Sequence, residues 1–129
     1  GVPIRDEAVV WFGTRERSAL VGSVGQGKMA DFLGNRLEDS TAVVCYNDEI
    51  AYLVIRQLLA AGKRVPEDVA VVSFDNSFYS QIGPVPITSL GHKTSRTGKA
   101  AAAALLQMLS GSQPDEERLE WELFVRASG

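Results

Sequence analysis

Apolar residues in this chain gather into short runs separated by polar seams. "AVVWF" (8–12), "AVVCY" (42–46) and "VAVVSF" (69–74) are nearly continuous stretches of β-branched and aromatic residues. That is the pattern of strands covered by helices on both faces of a sheet. "LEWELFV" (119–125) alternates instead, with Leu119, Trp121 and Leu123 on one side and Glu120 and Glu122 on the other. Alternation predicts a half-solvated strand at a sheet edge. "PITSL" (86–90) is a shorter, fifth candidate.

Between these runs the apolar period lengthens to that of a helix. Residues 48–61 carry Ile50, Leu53, Val54 and Leu58 behind an Asn47 or Asp48 cap, with Gly62 as the stop. Pro66 bars the helix from continuing. Residues 94–110 start at Thr94 or Ser95, run through Ala100 to Ala104 and then Leu105, Leu106, Met108 and Leu109, and end at Gly111. A further helix is predicted over 28–37 through Met29, Phe32, Leu33 and Leu37. Strand and helix alternating with short joins predict an α/β fold: a mostly parallel sheet flanked by helices.

Composition narrows the class. A length of 129 residues, 45% of them hydrophobic, suits one globular domain rather than a disordered chain. A net charge of −3 is a poor footprint for a polyanion. No apolar run is long enough to span a membrane. The single cysteine, Cys45, excludes an internal disulfide and a multi-cysteine metal site, and its apolar setting predicts an inert core thiol. The chain starts at Gly1 rather than Met, so it is expected to begin inside a longer protein.

One motif tempts and fails. "GSVGQGKM" (22–29) has the G-x-x-x-x-G-K spacing of a phosphate-binding loop. Met29 stands where a magnesium-binding Ser or Thr is required, and the loop does not leave a strand directly. The glycines are read as a flexible approach to the following helix.

The polar residues that remain collect after the predicted parallel strands, where open α/β sheets bind ligands. Tyr46, Asn47 and Asp48 follow one strand; Asp75, Asn76, Ser77 and Phe78 follow the next. A carboxylate accepts hydrogen bonds from vicinal hydroxyls, an amide both donates and accepts, and aromatic faces cover the C–H side of a sugar ring. The plainer reading is that Asn47 or Asp48 only caps a helix and that "DNS" only forms an Asx turn. Asp48 and Glu49 do not face one point and make no catalytic pair. An enzyme would need Ser73 or Ser77 activated by His92, the chain's single histidine, and no complete nucleophile–base set is legible.

The segment "TAVVCYNDEIAYLVIRQLLAAGKRVPEDVAVVSFDNS" followed by "PVPITSL" resembles the effector-binding domain of LacI/GalR-type repressors, a periplasmic-binding-protein-like type I fold. "CYNDEIA" with "GHKTSRTGKAAA" is similar in wording to the arabinose-responsive repressors, which carry a winged-helix DNA-binding head of another class. The likeness departs at Asn76, where many relatives have Asp, and over "GSVGQGKMADFLGNR".

The resemblance implies that residues 1–129 form the incomplete C-terminal lobe, without the DNA-binding head or the other lobe. It assigns effector contacts to Asn47, Asp75 and His92, beside the aromatic Tyr46 and Phe78, with no catalytic residue, metal or cofactor. It further implies a sugar effector (L-arabinose in the narrower match), operator DNA reached only through the head, a homodimer, and a cytoplasmic location without membrane contact. A sugar-capture protein of an ABC-type transporter is the alternative on the same fold. The helix over 94–110 is expected to expose Leu105, Leu106 and Leu109 where the other lobe would pack, and to bury them between copies of the chain.

Overall fold

A computed structural model describes residues 6–10, 23–35, 40–92 and 94–129. Asp6–Ala8 is a single 3₁₀ turn, followed by helix α1 (Ser23–Asn35), strand β1 (Ala42–Val44), helix α2 (Asp48–Ala60) and strand β2 (Ala70–Phe74). A one-turn helix α3 (Tyr79–Ile82), strand β3 (Thr88–Gly91), helix α4 (Thr94–Leu109) and strand β4 (Glu122–Phe124) complete the chain. The sheet order is β1-β2-β3-β4; the first three strands are parallel and β4 runs antiparallel at the edge.

Helix α2 is built as its sequence dictates. Asn47 sits in extended backbone at the N-cap and its Oδ1 accepts from the Ile50 N–H at 3.0 Å. At the other end Gly62, at φ +77, lets its N–H reach the Leu59 carbonyl and the Lys63 N–H reach the Leu58 carbonyl. That is the Schellman closure that glycine permits without steric cost. Gly111, at φ +79, ends α4 in the same way, through the Met108 and Gln107 carbonyls.

The core is one-sided. Ala51, Val54, Ile55 and Leu58 of α2 lie against Val43, Cys45, Val71 and Ile87 of the sheet, with Met29 of α1 alongside. Spacings of three, one and three residues put the helical four on one stripe. The expectation that each parallel strand is covered on both faces is overturned at β1: Ala42 is exposed and Val44 is 69% exposed, while Val43 between them is buried. Among the described elements the main helical packing against the sheet comes from the α2 side, and the outward-pointing half of β1 stays exposed.

Three other expectations change. The predicted strand over 8–12 is not a strand at its described residues; the Val9 N–H bonds the Asp6 carbonyl and closes a turn that includes Ala8, and Trp11 and Phe12 lie outside the described residues. Helix α1 starts at Ser23 rather than at 28 and takes in Gly25 and Gly27, so residues 23–29 of the phosphate-loop spacing are helical; Gly22 and the predicted end at 37 fall outside the described residues. The 119–125 stretch forms only three residues of strand; Leu123 is exposed, and Trp121, although 55% exposed, sets its ring against His92 and Phe74. The "PITSL" strand is present as β3, starting two residues later and ending one residue later than expected.

Helix α4 stands apart from this core. It packs extensively against no other element, and Leu105, Leu106, Met108 and Leu109 are all exposed, Leu109 to 75%. The Thr94 and Ser95 side chains named as cap candidates lie outside the described side chains.

Candidate functional site

The carboxyl ends of β1, β2 and β3 are adjacent because the strands pair in sequence order, and Asp48 binds the ends together. This residue, fully buried in the first turn of α2, accepts through Oδ1 from the Ser73 hydroxyl of β2 and, at 2.7 Å, from the Ser89 hydroxyl of β3. Its Oδ2 accepts from the Ser77 backbone N–H in the loop after β2. Ser73 and Ser89 are register partners, so both hydroxyls face the same point. Three donors and the positive end of a helix offset the cost of burying the acid. Asp48 is therefore not the cap that the sequence offers as an alternative to Asn47; it is the tie between three strand ends.

The loop after β2 carries the main backbone strain outside glycine. Asp75 has φ +96 and Asn76 φ +48, a region that costs L-residues roughly 1–3 kcal/mol each and that surrounding contacts must enforce. The enforcement is visible in three consecutive backbone donors. The Asp75 N–H bonds the Leu90 carbonyl at 3.0 Å, the Asn76 N–H bonds Ser89 Oγ at 3.0 Å, and the Ser77 N–H bonds Asp48. The Asx-turn reading of "DNS" fails, since the Ser77 N–H turns to Asp48 rather than to Asp75. Opposite the loop, a Cβ built on Gly91 of β3 would lie 2.8 Å from Asn76 Cβ and 3.0 Å from the Asp75 carbonyl oxygen, so only glycine fits.

The five candidate residues divide into two groups. Asn47 and Asp75 stand at the ends of neighbouring strands, with Tyr46 and Phe78 beside them, both about 70% exposed (67% and 71%). Asn47 spends Oδ1 on the cap and keeps its amide nitrogen for another partner, while the Asp75 side chain is exposed and makes no hydrogen bond or ion pair among the described residues. His92 follows β3 and lines a separate depression of about 280 Å³ with Arg96, Thr97, Glu120, Trp121 and Glu122. Its Nδ1 lies 3.1 Å from the Glu120 carbonyl, which only accepts, so Nδ1 carries the hydrogen. The ring stacks on Trp121 with centroids 4.0 Å apart, and Trp121 meets Phe74 edge-on at 6.2 Å. Among the described residues no cluster of His, Cys, Asp or Glu suits a metal ion.

Residues 5–128 match the periplasmic binding protein-like domain. The chain belongs to that family. Among curated proteins, this periplasmic-binding-protein-like chain is 31% identical over 116 residues to the arabinose metabolism transcriptional repressor of Geobacillus stearothermophilus, covering 89% of the chain and 31% of the repressor. It is 36% identical over 126 residues to the HTH-type transcriptional regulator CelR of Thermobifida fusca, covering 96% of the chain and 35% of CelR. The solved complex of transcriptional regulator CelR with cellobiose superposes with a TM-score of 0.77 at 34% identity, covering 98% of this chain and 37% of that one. A LacI-family regulator from Lactobacillus casei with bound glucose gives a TM-score of 0.68 at 28% identity, covering 81% and 38%. The chain thus spans about a third of the length of these regulators, and its domain is of the LacI/GalR type.

Sequence reasoning missed the residues that hold the rim in shape. Ser73 interrupts an otherwise apolar strand, and a hydroxyl buried in such a run needs a partner; that signal called for a buried acceptor without naming Asp48. Arg126, whose guanidinium bonds Asn76, and Trp121 sit too far along the chain for any local pattern to join them to the loop. Cys45 is buried as expected. Burial chiefly, and then the negative Asp48, push its thiol up to about 12.

Proposed function

We propose that this chain is the C-terminal part of the effector-binding region of a bacterial transcriptional repressor, and that its strand-end rim forms one wall of a sugar site. One observation carries the reading: Asp75 is held in strained backbone by bonded neighbours while its carboxylate, at the ends of parallel strands, has no partner among the described residues. Strain retained around an unpaired acid suits an acceptor for vicinal hydroxyls. Asn47 supplies an amide donor, Tyr46 and Phe78 supply apolar faces, and His92 contributes from the chain's exit past β3. The relatives named for arabinose and cellobiose support a saccharide, with L-arabinose as one candidate.

The missing wall and a DNA-binding head belong to the rest of the regulator. Sugar closes the cleft and shifts the arrangement that the head senses, acting only through its different affinity for the two states. The exposed leucines of α4 are covered in a homodimer. The protein works in the cytoplasm as a binding module rather than an enzyme: the Ser73 hydroxyl donates to Asp48 rather than to His92, whose Nδ1 donates to the Glu120 carbonyl. No helix among the described residues is long and apolar enough to cross a membrane.

The test is operator release by the intact repressor, titrated with L-arabinose, glucose and cellobiose. Asp75→Ala removes an acceptor of charge-assisted hydrogen bonds, each worth about 1.5–3 kcal/mol, so release should need at least about tenfold more sugar. Operator affinity without sugar should stay unchanged. Release by Asp75→Ala at the wild-type sugar concentration would remove the acid from the site.

A further inference from the structure

We propose that Arg126 is a positioning residue for the Asp75 loop, reaching it from the far end of the chain. The inference rests on the sugar-site reading for its consequence, and on geometry alone for its mechanism. The Arg126 Nη2 donates to Asn76 Oδ1 at 2.6 Å while Nη1 donates to the Ile87 carbonyl at 2.7 Å. The guanidinium therefore bridges the start of β3 and the strained loop after β2, fifty residues away in sequence, in a planar fork that a lysine cannot reproduce.

Arg126 is itself fixed. Its backbone N–H bonds Thr88 Oγ1 at 2.8 Å, and its guanidinium carbon lies 5.7 Å from the centre of the Phe124 ring. Two residues on, Ser128 is buried between β2 and β3: the Val71 N–H bonds its carbonyl, the Thr88 N–H bonds its Oγ, and that Oγ donates to the Val71 carbonyl. The segment 126–128 is thus a strap laced through the sheet, with one side chain reaching the loop.

The loop's three backbone hydrogen bonds hold residues 75–77, but among the described residues the Asn76 side chain makes one hydrogen bond, and it is with Arg126. Without it, Asn76 is free to leave φ +48, and Asp75 loses the conformation that aims its carboxylate outward. A ligand then meets a loop that is competent only part of the time, and apparent affinity falls by that fraction.

The experiment uses the full-length regulator with two readouts: hydrogen exchange of the peptide spanning 75–78, and affinity for L-arabinose, glucose and cellobiose. Arg126→Met should speed exchange at 75–78 while α2 stays protected, and weaken sugar binding roughly tenfold. Arg126→Lys should behave like Arg126→Met, and Asn76→Asp should keep wild-type exchange because its carboxylate still accepts from Arg126. Asn76→Gly tolerates the positive φ and removes the acceptor without disturbing the strap, so it should reproduce the faster exchange even if Arg126 variants unfold.

Unchanged exchange at 75–78 in both Arg126→Met and Asn76→Gly overturns the proposal. So does faster exchange in α2 and the loop together for Arg126→Met with wild-type exchange in Asn76→Gly. If Asp75→Ala binds the three sugars as wild type does, the sugar reading falls, while the exchange result still decides the positioning role.

Discussion

Helices α2 and α4 are both rich in aliphatic residues, yet they end in opposite environments. In α2 the stripe Ala51, Val54, Ile55 and Leu58 is buried against the sheet, and a buried acid in its first turn ties three strand ends together. In α4 the run Leu105, Leu106, Met108 and Leu109 is exposed, and the helix packs extensively against no other described element. The contrast shows that an amphipathic sequence decides helix and face but not the partner; a partner has to be supplied by the topology. Around α2 the topology supplies a sheet. Around the leucines of α4, among the described residues, it supplies no such cover.

The comparison can be broken first at Asp48. Asp48→Ala leaves the Ser73 and Ser89 hydroxyls and the Ser77 N–H without their acceptor in the interior, and should destabilise by about 3–5 kcal/mol in urea unfolding. A loss under about 1 kcal/mol would mean that the three strand ends do not depend on the acid.

Alkali probes the same core more gently. The folded-state pKa of Cys45, pushed up to about 12, lies above its ordinary value of 9.0, so the folded state keeps the proton that the unfolded chain gives up. Stability from this group is complete below pH 9 and declines as pH rises toward 12, by up to about 1.4 kcal/mol per pH unit. Urea midpoints between pH 8 and 11 should fall more steeply for wild type than for Cys45→Ala. Parallel slopes would show that the thiol titrates as if exposed.

The smallest effect belongs to the other helix. Leu106→Ala should change unfolding free energy by less than about 0.5 kcal/mol in dilute solution, because no packed surface is lost. A cost near that of a buried leucine, about 2–5 kcal/mol, would reveal a partner for α4.

Most of the architecture was legible because it follows from local chemistry. The α2 boundaries came from Asn47 and Gly62, the α4 terminus from Gly111, and β2 and β3 from their β-branched runs. What stayed hidden depends on distant pairing. The lengths of β1 and β4 are set by their neighbours rather than by apolar content, and Ala8 entered a turn because a nearby carbonyl was available to Val9. In the rim, the residue types at 46–48 and 75–78 were readable, but the division of labour between Asn47 and Asp48 was not. Either side chain can cap a helix, and only the placement of Ser73, Ser77 and Ser89 decides which one turns inward. The φ values of Asp75 and Asn76 leave no trace in composition, and their support from Arg126 crosses fifty residues of chain.

Gly91 sets the spacing of the whole rim through an atom it lacks. Because even a methyl group at that position would collide with the Asp75–Asn76 turn, the gap between the second and third strand ends works as a fixed gauge. Chemistry at 47 and 75 can change without touching that gauge, because the ruler against which those side chains are measured stays one hydrogen wide.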